Sequence, residues 1–340
     1  MAGRKYGLDL GTNYVKIYNN TRKNILVEHN MIAIRKKKEV IACGDDAYEI
    51  FEKVSDTIGI RQPVRNGVIA DVEPMGKLFD HLLKKMDCSN SMMRHNEFYL
   101  AVPSSITEVE KRAFFHLVGH SNFKTHNAGI VEKPVAAAVG EGLDVNRSGG
   151  IMLVDLGADT TEISILALGG IVLSRLIKCG GNTINEAICS EIKLEHNVII
   201  GFKTAEQLKL SLGSVLLADQ DPVQVYGRDL ITGLPVCVRI QASLIRQCIL
   251  KVLEPVVGAI RGLLERTPPE LNNDIFDHGM YITGGTSQIP GLDRRIAAAT
   301  RMKVNMSRTP QESTVKGLDV IMNSTELSGL VFSIRESAFN

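Results

Sequence analysis

The sequence predicts an α/β protein built as two copies of one lobe, each a mixed sheet with flanking helices. Three observations predict it. The turn Asp9-Leu10-Gly11 near the start of the chain returns 146 positions later as Asp155-Leu156-Gly157. Each copy opens a run of three short segments dense in β-branched and apolar residues, the composition of a strand meander. Each half then carries a segment ending in small residues, YLAVPSS (99–105) and MYITGGTSQIPG (280–291), with a helical pattern behind it. A length of 340 residues suits two domains at roughly 150 residues each.

Taken in order, the first meander is predicted at 6–9, 14–18 and 24–28, and the second at 151–155, 162–167 and 170–175. Helices are predicted at 107–120 and 292–301, the former opened by a capping box of Thr107 with Glu110. The less regular stretches, about 30–75 and 185–245, read as a smaller subdomain inserted into each lobe. Lobe I is then 1–145 plus 310–340, and lobe II is 146–309. The charge run RKKKEV (35–40) reads as a solvated hairpin turn, with a binding patch as its alternative. The apolar stretch 243–266 is interrupted by Arg246, Lys251, Glu254 and Arg261, which predicts an amphipathic pair of core helices and not a membrane span.

Composition removes several function classes. With 44% apolar and 23% charged residues the chain is an ordinary globular protein, and a net charge of +1 does not point to nucleic acid. MAGRKYGLDL runs directly into the first strand, with no signal peptide expected. Six cysteines without a C-x-x-C pair predict free thiols in a reducing cytoplasm, and eight histidines form no ligand pattern.

The chemistry lies in the turns. A tight turn containing glycine lets backbone N–H groups approach an anion that side chains would otherwise block. An aspartate ending the preceding strand adds a carboxylate suited to Mg²⁺, usually through water. Two such turns from repeated lobes would grip the phosphate tail of a nucleotide. Thr283-Gly284-Gly285-Thr286 and Gly180-Gly181 offer bare backbone against which a base or ribose could lie. On the predicted helix 204–214, Glu206 and Lys209 share a face and either meet the nucleoside or form a surface salt bridge.

Four segments together resemble the actin/Hsp70/sugar-kinase superfamily: LDLGTNYVKIY, VEKPVAAAVG (131–140), VDLGADTTE and ITGGTSQIPG. Within it, GRDLITGLP (227–235), LERTPPEL (264–271), RNGVIADVE (65–73) and VPSSITEVEKRA (102–113) resemble the MreB family of bacterial actins. The similarity runs from Tyr6 to about Met322. It implies two actin-like lobes, ribonuclease-H-like in their sheets, around a cleft holding ATP and Mg²⁺. By that resemblance Asp9 and Asp155 face the metal, while the backbones of Gly11, Thr12 and Asn13, and of Gly157 and Ala158, hold the phosphates. Glu132 matches the residue that orients the attacking water, and Thr160 the hydroxyl that helps position it. Gly180, Gly181, Glu206, Lys209, Gly284 and Gly285 would frame the nucleoside.

This chain departs from the family pattern at a few positions. Lys16 stands where MreB has an apolar residue and actin a lysine; it either reaches the phosphates as a point charge or faces solvent. Asp159 replaces the glycine expected to face the terminal phosphate, beside Ala158 at another glycine position. A carboxylate about 4 Å from a phosphate charge costs on the order of 4 kcal/mol at an effective dielectric near 20. Aspartate tolerates a left-handed backbone, so the turn is expected to survive, with the side chain turned away from the anion or toward Lys16 or the metal. Asn182 stands where MreB has aspartate, and Thr286 replaces a third glycine, as in actin.

The resemblance further implies self-assembly into head-to-tail protofilaments, alone or with other MreB-like subunits, on the inner face of the cell membrane. Met92-Met93, bracketed by polar residues and followed by Arg94, suits either shallow membrane insertion or packing back onto the lobe. The expected activity is weak ATP hydrolysis coupled to polymerisation in a protein serving cell shape and wall synthesis. The alternatives are a nucleotide-binding scaffold that polymerises without turnover and a monomeric Hsp70-like ATPase or sugar kinase. Against the last two, no substrate-binding domain is expected after Asn340 and no sugar-site candidate is found.

Overall fold

The structure, a computed structural model, describes residues 4–36, 39–86, 88, 96–123, 125–216 and 220–333. Strands β1 (Arg4–Leu10), β2 (Tyr14–Asn19) and β3 (Asn24–His29) form the first meander. A small sheet follows, built from β4 (Ile32–Arg35), β5 (Glu39–Cys43) and β6 (Ile58–Arg61), with α1 (Asp45–Ile50) between the last two. The two-residue strands β7 (Val64–Arg65) and β8 (Val68–Ile69) pair with each other. Then come α2 (Val72–Lys85), β9 (Asn96–Val102), α3 (Glu108–Gly119), β10 (Thr125–Glu132) and α4 (Lys133–Gly140).

The second meander is β11 (Ile151–Leu156), β12 (Thr161–Ala167) and β13 (Gly170–Ile177). It leads into α5 (Gly181–His196), β14 (Val198–Ile199), α6 (Phe202–Leu212), and the hairpin of β15 (Val223–Asp229) and β16 (Pro235–Ile240). After α7 (Ala242–Leu264), α8 (Pro269–His278) and β17 (Met280–Thr283), a 3₁₀ turn at Gly285–Gln288 precedes α9 (Leu292–Thr300) and β18 (Val304–Met306). The chain closes with α10 (Ser313–Asn323) and β19 (Phe332–Ser333).

These elements fall into two compact units, Met1–Gly149 with Leu166–Ser174 and Gln311–Asn340, and Gly150–Ile165 with Arg175–Pro310. The first unit carries a six-stranded sheet ordered β19-β10-β9-β1-β2-β3, and a second sheet is ordered β13-β12-β11-β17-β18. Their logic is the same. The strand ending in Asp-Leu-Gly lies between its meander neighbour and a parallel strand, β9 beside β1 and β17 beside β11. β11 and β12 are buried at every position, as strands covered on both faces must be. Helix α2 turns Met75, Leu78, Phe79, Leu82 and Leu83 inward at helical spacing, onto a core where the Tyr6 and Phe98 rings stack 5.4 Å apart.

The capping signal read from sequence is present at α3. The Thr107 hydroxyl accepts from the Glu110 N–H at 3.2 Å, and the Glu110 carboxylate accepts from the Thr107 N–H at 2.7 Å. The expected helix pair at 243–266 is instead the single 23-residue α7, with Pro255 inside it. Proline removes one hydrogen bond at a cost of about 3 kcal/mol. Yet Ile249, Val252 and Leu253 before it, and Val256, Val257 and Ile260 after it, line one continuous buried face. Each such side chain contributes about 1.5–3 kcal/mol when buried, so the stripe prevails over the proline. Of the charge run, Arg35 ends β4 and Glu39 begins β5, 3.6 Å apart as an ion pair, whereas Lys37 and Lys38 lie outside the described residues.

Helices α4 and α10 pack through glycine. A Cβ on Gly317 would overlap the Ala136 carbonyl oxygen and come within 2.9 Å of the Gly140 nitrogen. Gly76, inside α2, has nothing within 4 Å of its missing Cβ. The two sites predict opposite signs for one change. Gly317→Ala should lose about 3 kcal/mol of stability by overpacking, and Gly76→Ala should gain about 0.5–1 kcal/mol from backbone entropy. Urea midpoints of the two variants check both; a neutral Gly317→Ala would mean that the helices part without cost.

Candidate functional site

Both Asp-Leu-Gly turns close in the same way. The Gly11 N–H donates to the Tyr14 carbonyl at 3.0 Å, and the Gly157 N–H donates to the Thr160 carbonyl at 2.9 Å. Neither glycine has a positive φ. Glycine is needed for close approach: a Cβ would stand 2.7 Å from the Tyr14 oxygen in one turn and 2.8 Å from the Thr160 oxygen in the other. These two N–H groups are therefore consumed by the turns themselves. The next ones, on Thr12 and Ala158, donate to no partner among the described residues.

The turn carbonyls face the opposite way and are satisfied inside each unit. In the first, fully buried Asn30 donates through Nδ2 to the Thr12 and Val64 carbonyls, both at 2.8 Å, and its backbone N–H reaches the Asn13 carbonyl at 2.8 Å. In the second, the Gly157 carbonyl accepts from the Gly181 N–H at 3.1 Å and from the Thr286 hydroxyl at 2.7 Å. The Ala158 carbonyl accepts from the Asn182 N–H at 2.7 Å. Carbonyls turned inward leave donors turned outward, an arrangement that suits an anion.

Gly180 and Gly181, read from sequence as a nucleoside platform, have a structural reason as well. A Cβ on Gly180 would come 2.5 Å from the Ala158 oxygen, and one on Gly181 would come 2.8 Å from the Thr286 hydroxyl. Their bareness lets the start of α5 sit against the turn. Gly284 has φ 86° and a Cβ position 2.5 Å from a carboxylate oxygen of Asp155. Gly285 opens the 3₁₀ turn that carries Thr286.

Charged groups refine the sequence reading. β1 and β2 pair with Asp9 opposite Lys16, and the Lys16 ammonium lies 2.8 Å from the Asp9 carboxylate, with that of Lys133 at 3.9 Å. Lys16 thus neither faces solvent nor stands alone. Burial pushes the Asp9 carboxyl up, but Lys16 and Lys133 outweigh it and hold the group below the usual carboxylate range. Asp155 is also buried, with the Thr283 hydroxyl 3.4 Å from its carboxylate. Among the described residues, no group of three or more histidine, cysteine or acidic side chains could hold a metal ion by itself.

Asp159 does not adopt a left-handed backbone. Its φ is not positive, and its carboxylate accepts from the Asn182 side-chain amide at 2.7 Å. The departures at 159 and 182 are partners. On α6, Lys209 does not pair with Glu206; its ammonium donates to the Gly181 carbonyl at 3.1 Å, and burial lowers its pKa while Glu206 partly restores it. Glu132 ends β10, half-buried, and its carboxylate has no hydrogen-bond or ion-pair partner among the described residues. Burial raises its pKa, and Lys111 offsets this only in part. The Thr160 hydroxyl likewise has no partner among the described residues. Met92 and Met93 lie outside the described residues.

Two contributors escaped the sequence reading, Asn30 and Lys133, whereas Asn182 and Thr286 were met there as departures from the family pattern. Lys133 adjoins Glu132 in the connector and could have been found there; nothing local marks Asn30.

A family model described as MreB/Mbl protein matches residues 3–328. The chain belongs to the MreB/Mbl family. Its similarity to the cell shape-determining protein Mbl of Bacillus cereus is 32% identity over 328 residues, covering 96% of this chain and 98% of that protein. To the cell shape-determining protein MreB of Escherichia coli K12 it is 32% over 336 residues, covering 97% and 96%. Among solved structures, MreB5 of Spiroplasma citri bound to ADP matches with TM-score 0.89 and 30% identity, covering 97% of this chain and 98% of that one. The MamK double helical filament, 19% identical with TM-score 0.80, shares the fold. This MreB/Mbl chain therefore has the actin-like fold that the resemblance of its motifs implied.

The Asp9–Lys16 contact predicts a pH signature. A folded-state pKa held low stabilises the protein above the ordinary carboxylate pKa, and the gain is lost as pH falls through the folded value. Lys16→Met leaves the buried carboxylate with Lys133 alone, so about 3 kcal/mol should be lost at pH 7.5 and acid unfolding should begin at a higher pH. Urea titrations across a pH series check this; an unmoved acid limb would remove Lys16 as the main cause.

Proposed function

We propose that this chain is an ATP-binding, actin-like cytoskeletal protein that polymerises head to tail at the inner face of the cell membrane and serves cell shape and wall synthesis. The observation that carries the reading is the pair of turns, each with carbonyls bound within its own unit and an N–H, on Thr12 or Ala158, that donates to no partner among the described residues. Relatives support it by what they are: cell shape-determining proteins, an MreB5 seen with ADP and with AMPPNP, and a MamK filament.

In this reading the Thr12 and Ala158 N–H groups, with Lys16, hold phosphate oxygens. Gly181, Gly284, Gly285, Glu206 and Lys209 frame the nucleoside. The carboxylates of Asp9 and Asp155, both buried at the ends of their strands, would hold Mg²⁺, with Lys16 and Lys133 sharing the charge of Asp9. Bound there, the metal would neutralise phosphate charge. Glu132, unpaired and with its proton affinity raised by burial, orients the attacking water and accepts its proton, and the Thr160 hydroxyl positions that water. Positioning and charge neutralisation make up most of such a reaction. Copies joined head to tail form an open filament, since a heterologous contact need not close. Met92 and Met93, repeated along it, supply a weak membrane contact multiplied by avidity.

A second reading, a nucleotide-binding scaffold with little turnover, draws on Asp159. High-speed pelleting over a concentration series separates the two. Pelleting above a threshold with ATP and not with ADP supports coupled assembly; pelleting indifferent to nucleotide favours the scaffold; soluble protein throughout sinks autonomous assembly. For hydrolysis, Glu132→Gln should lower the rate about 100-fold while nucleotide binding persists. The wild-type rate should fall with decreasing pH at a higher pH than an ordinary glutamate would give, because protonated Glu132 cannot serve as base. A flat pH profile would take Glu132 out of that role.

A further inference from the structure

Asp159 sits where the second turn meets the start of α5. The first N–H groups of that helix, on Gly181 and Asn182, are taken by the Gly157 and Ala158 carbonyls, and the Asn182 side chain is taken by the Asp159 carboxylate at 2.7 Å. A helix N-terminus attracts negative charge. Here the 16-residue α5 meets a carboxylate of its own chain.

Position along the turn gives this charge a consequence. Residues assigned to the nucleoside gather at the opening of the turn: Gly181 and Thr286 bond to the Gly157 carbonyl, Lys209 bonds to Gly181, and Gly284 packs on Asp155 and Leu156. Asp159 lies at the closing end, one residue beyond the Ala158 N–H. With a nucleoside on the Lys209 side and a phosphate on that N–H, a polyphosphate following the turn would bring its last group toward position 159.

We propose that Asp159 is a specificity-determining residue, setting the second turn to favour a nucleoside diphosphate over the triphosphate. The inference rests on the reading of the turns as phosphate grips and goes beyond it. A triphosphate brings one more charged group, and that group is nearest the fixed carboxylate, so repulsion falls mainly on it. The equivalent position in the first turn is Asn13, a neutral residue of the same shape in a turn with the same Gly N–H to carbonyl closure. Charge at 159 is thus not required by the turn.

The symmetry supplies the experiment. Asp159→Asn keeps an oxygen to accept from Asn182 and removes the charge. Calorimetry on the full chain, below its pelleting threshold and in Mg²⁺, would compare ADP with AMPPNP for wild type, Asp159→Asn and, as a control for net charge, Glu270→Gln at an exposed site on α8. Wild type should bind ADP more tightly. Asp159→Asn should move the ADP/AMPPNP affinity ratio about tenfold toward AMPPNP, with Glu270→Gln unmoved. Equal ratios in wild type and Asp159→Asn would overturn the inference while leaving nucleotide binding intact. Failure of wild type to bind either nucleotide would overturn the proposed function and this inference with it.

Discussion

The Gly157 and Ala158 carbonyls bond to the first N–H groups of α5, and much of the second unit's geometry follows from those two hydrogen bonds. They fix which edge of the turn faces inward. They also require bare backbone at Gly180 and Gly181, where any Cβ would press on the turn or on Thr286. Thr286, bonded to the same Gly157 carbonyl, ties in the 3₁₀ turn behind β17. An orphaned carbonyl here would cost about 1–3 kcal/mol, so the donors around the turn act as one set.

The first unit meets the same requirement with different means. There a single buried asparagine, Asn30, donates to both the Thr12 and the Asn13 carbonyls and anchors itself on Val64. Duplication preserved the turn and its closing hydrogen bond, while the groups that satisfy its back differ. The turns differ in charge as well. Asp9 lies with Lys16 and Lys133, whereas the second turn adds the acidic Asp159. Asp159 and Asn182 make sense together: an aspartate at 182 would set two carboxylates in contact, and the amide converts that repulsion into a charge-assisted hydrogen bond.

Elements governed by local pattern were legible. Both meanders, the Thr107–Glu110 capping box and the glycine turns were readable because β-branched and apolar strand composition, capping chemistry and close backbone approach act over a few residues. The stretch 243–266 was divided into two helices because four charged residues interrupt its apolar run, whereas the continuous buried face of α7 is a property of what packs against it. Within the site, the sequence could name Asp9, Lys16, Asp159, Asn182, Glu206 and Lys209, but not their pairings.

By itself, then, the sequence determined the duplicated α/β lobes, the position of both turns and the residue types at each, since these depend on neighbours within about a dozen residues. Tertiary structure decided that Lys16 lies on Asp9, that Lys209 donates to Gly181, and that Asp159 is held by Asn182, 23 positions away. A side chain's charge can be read from its letter. Its partner depends on which strands and helices fold against it, and for a buried charge the partner decides whether it binds a ligand, a metal or its own chain.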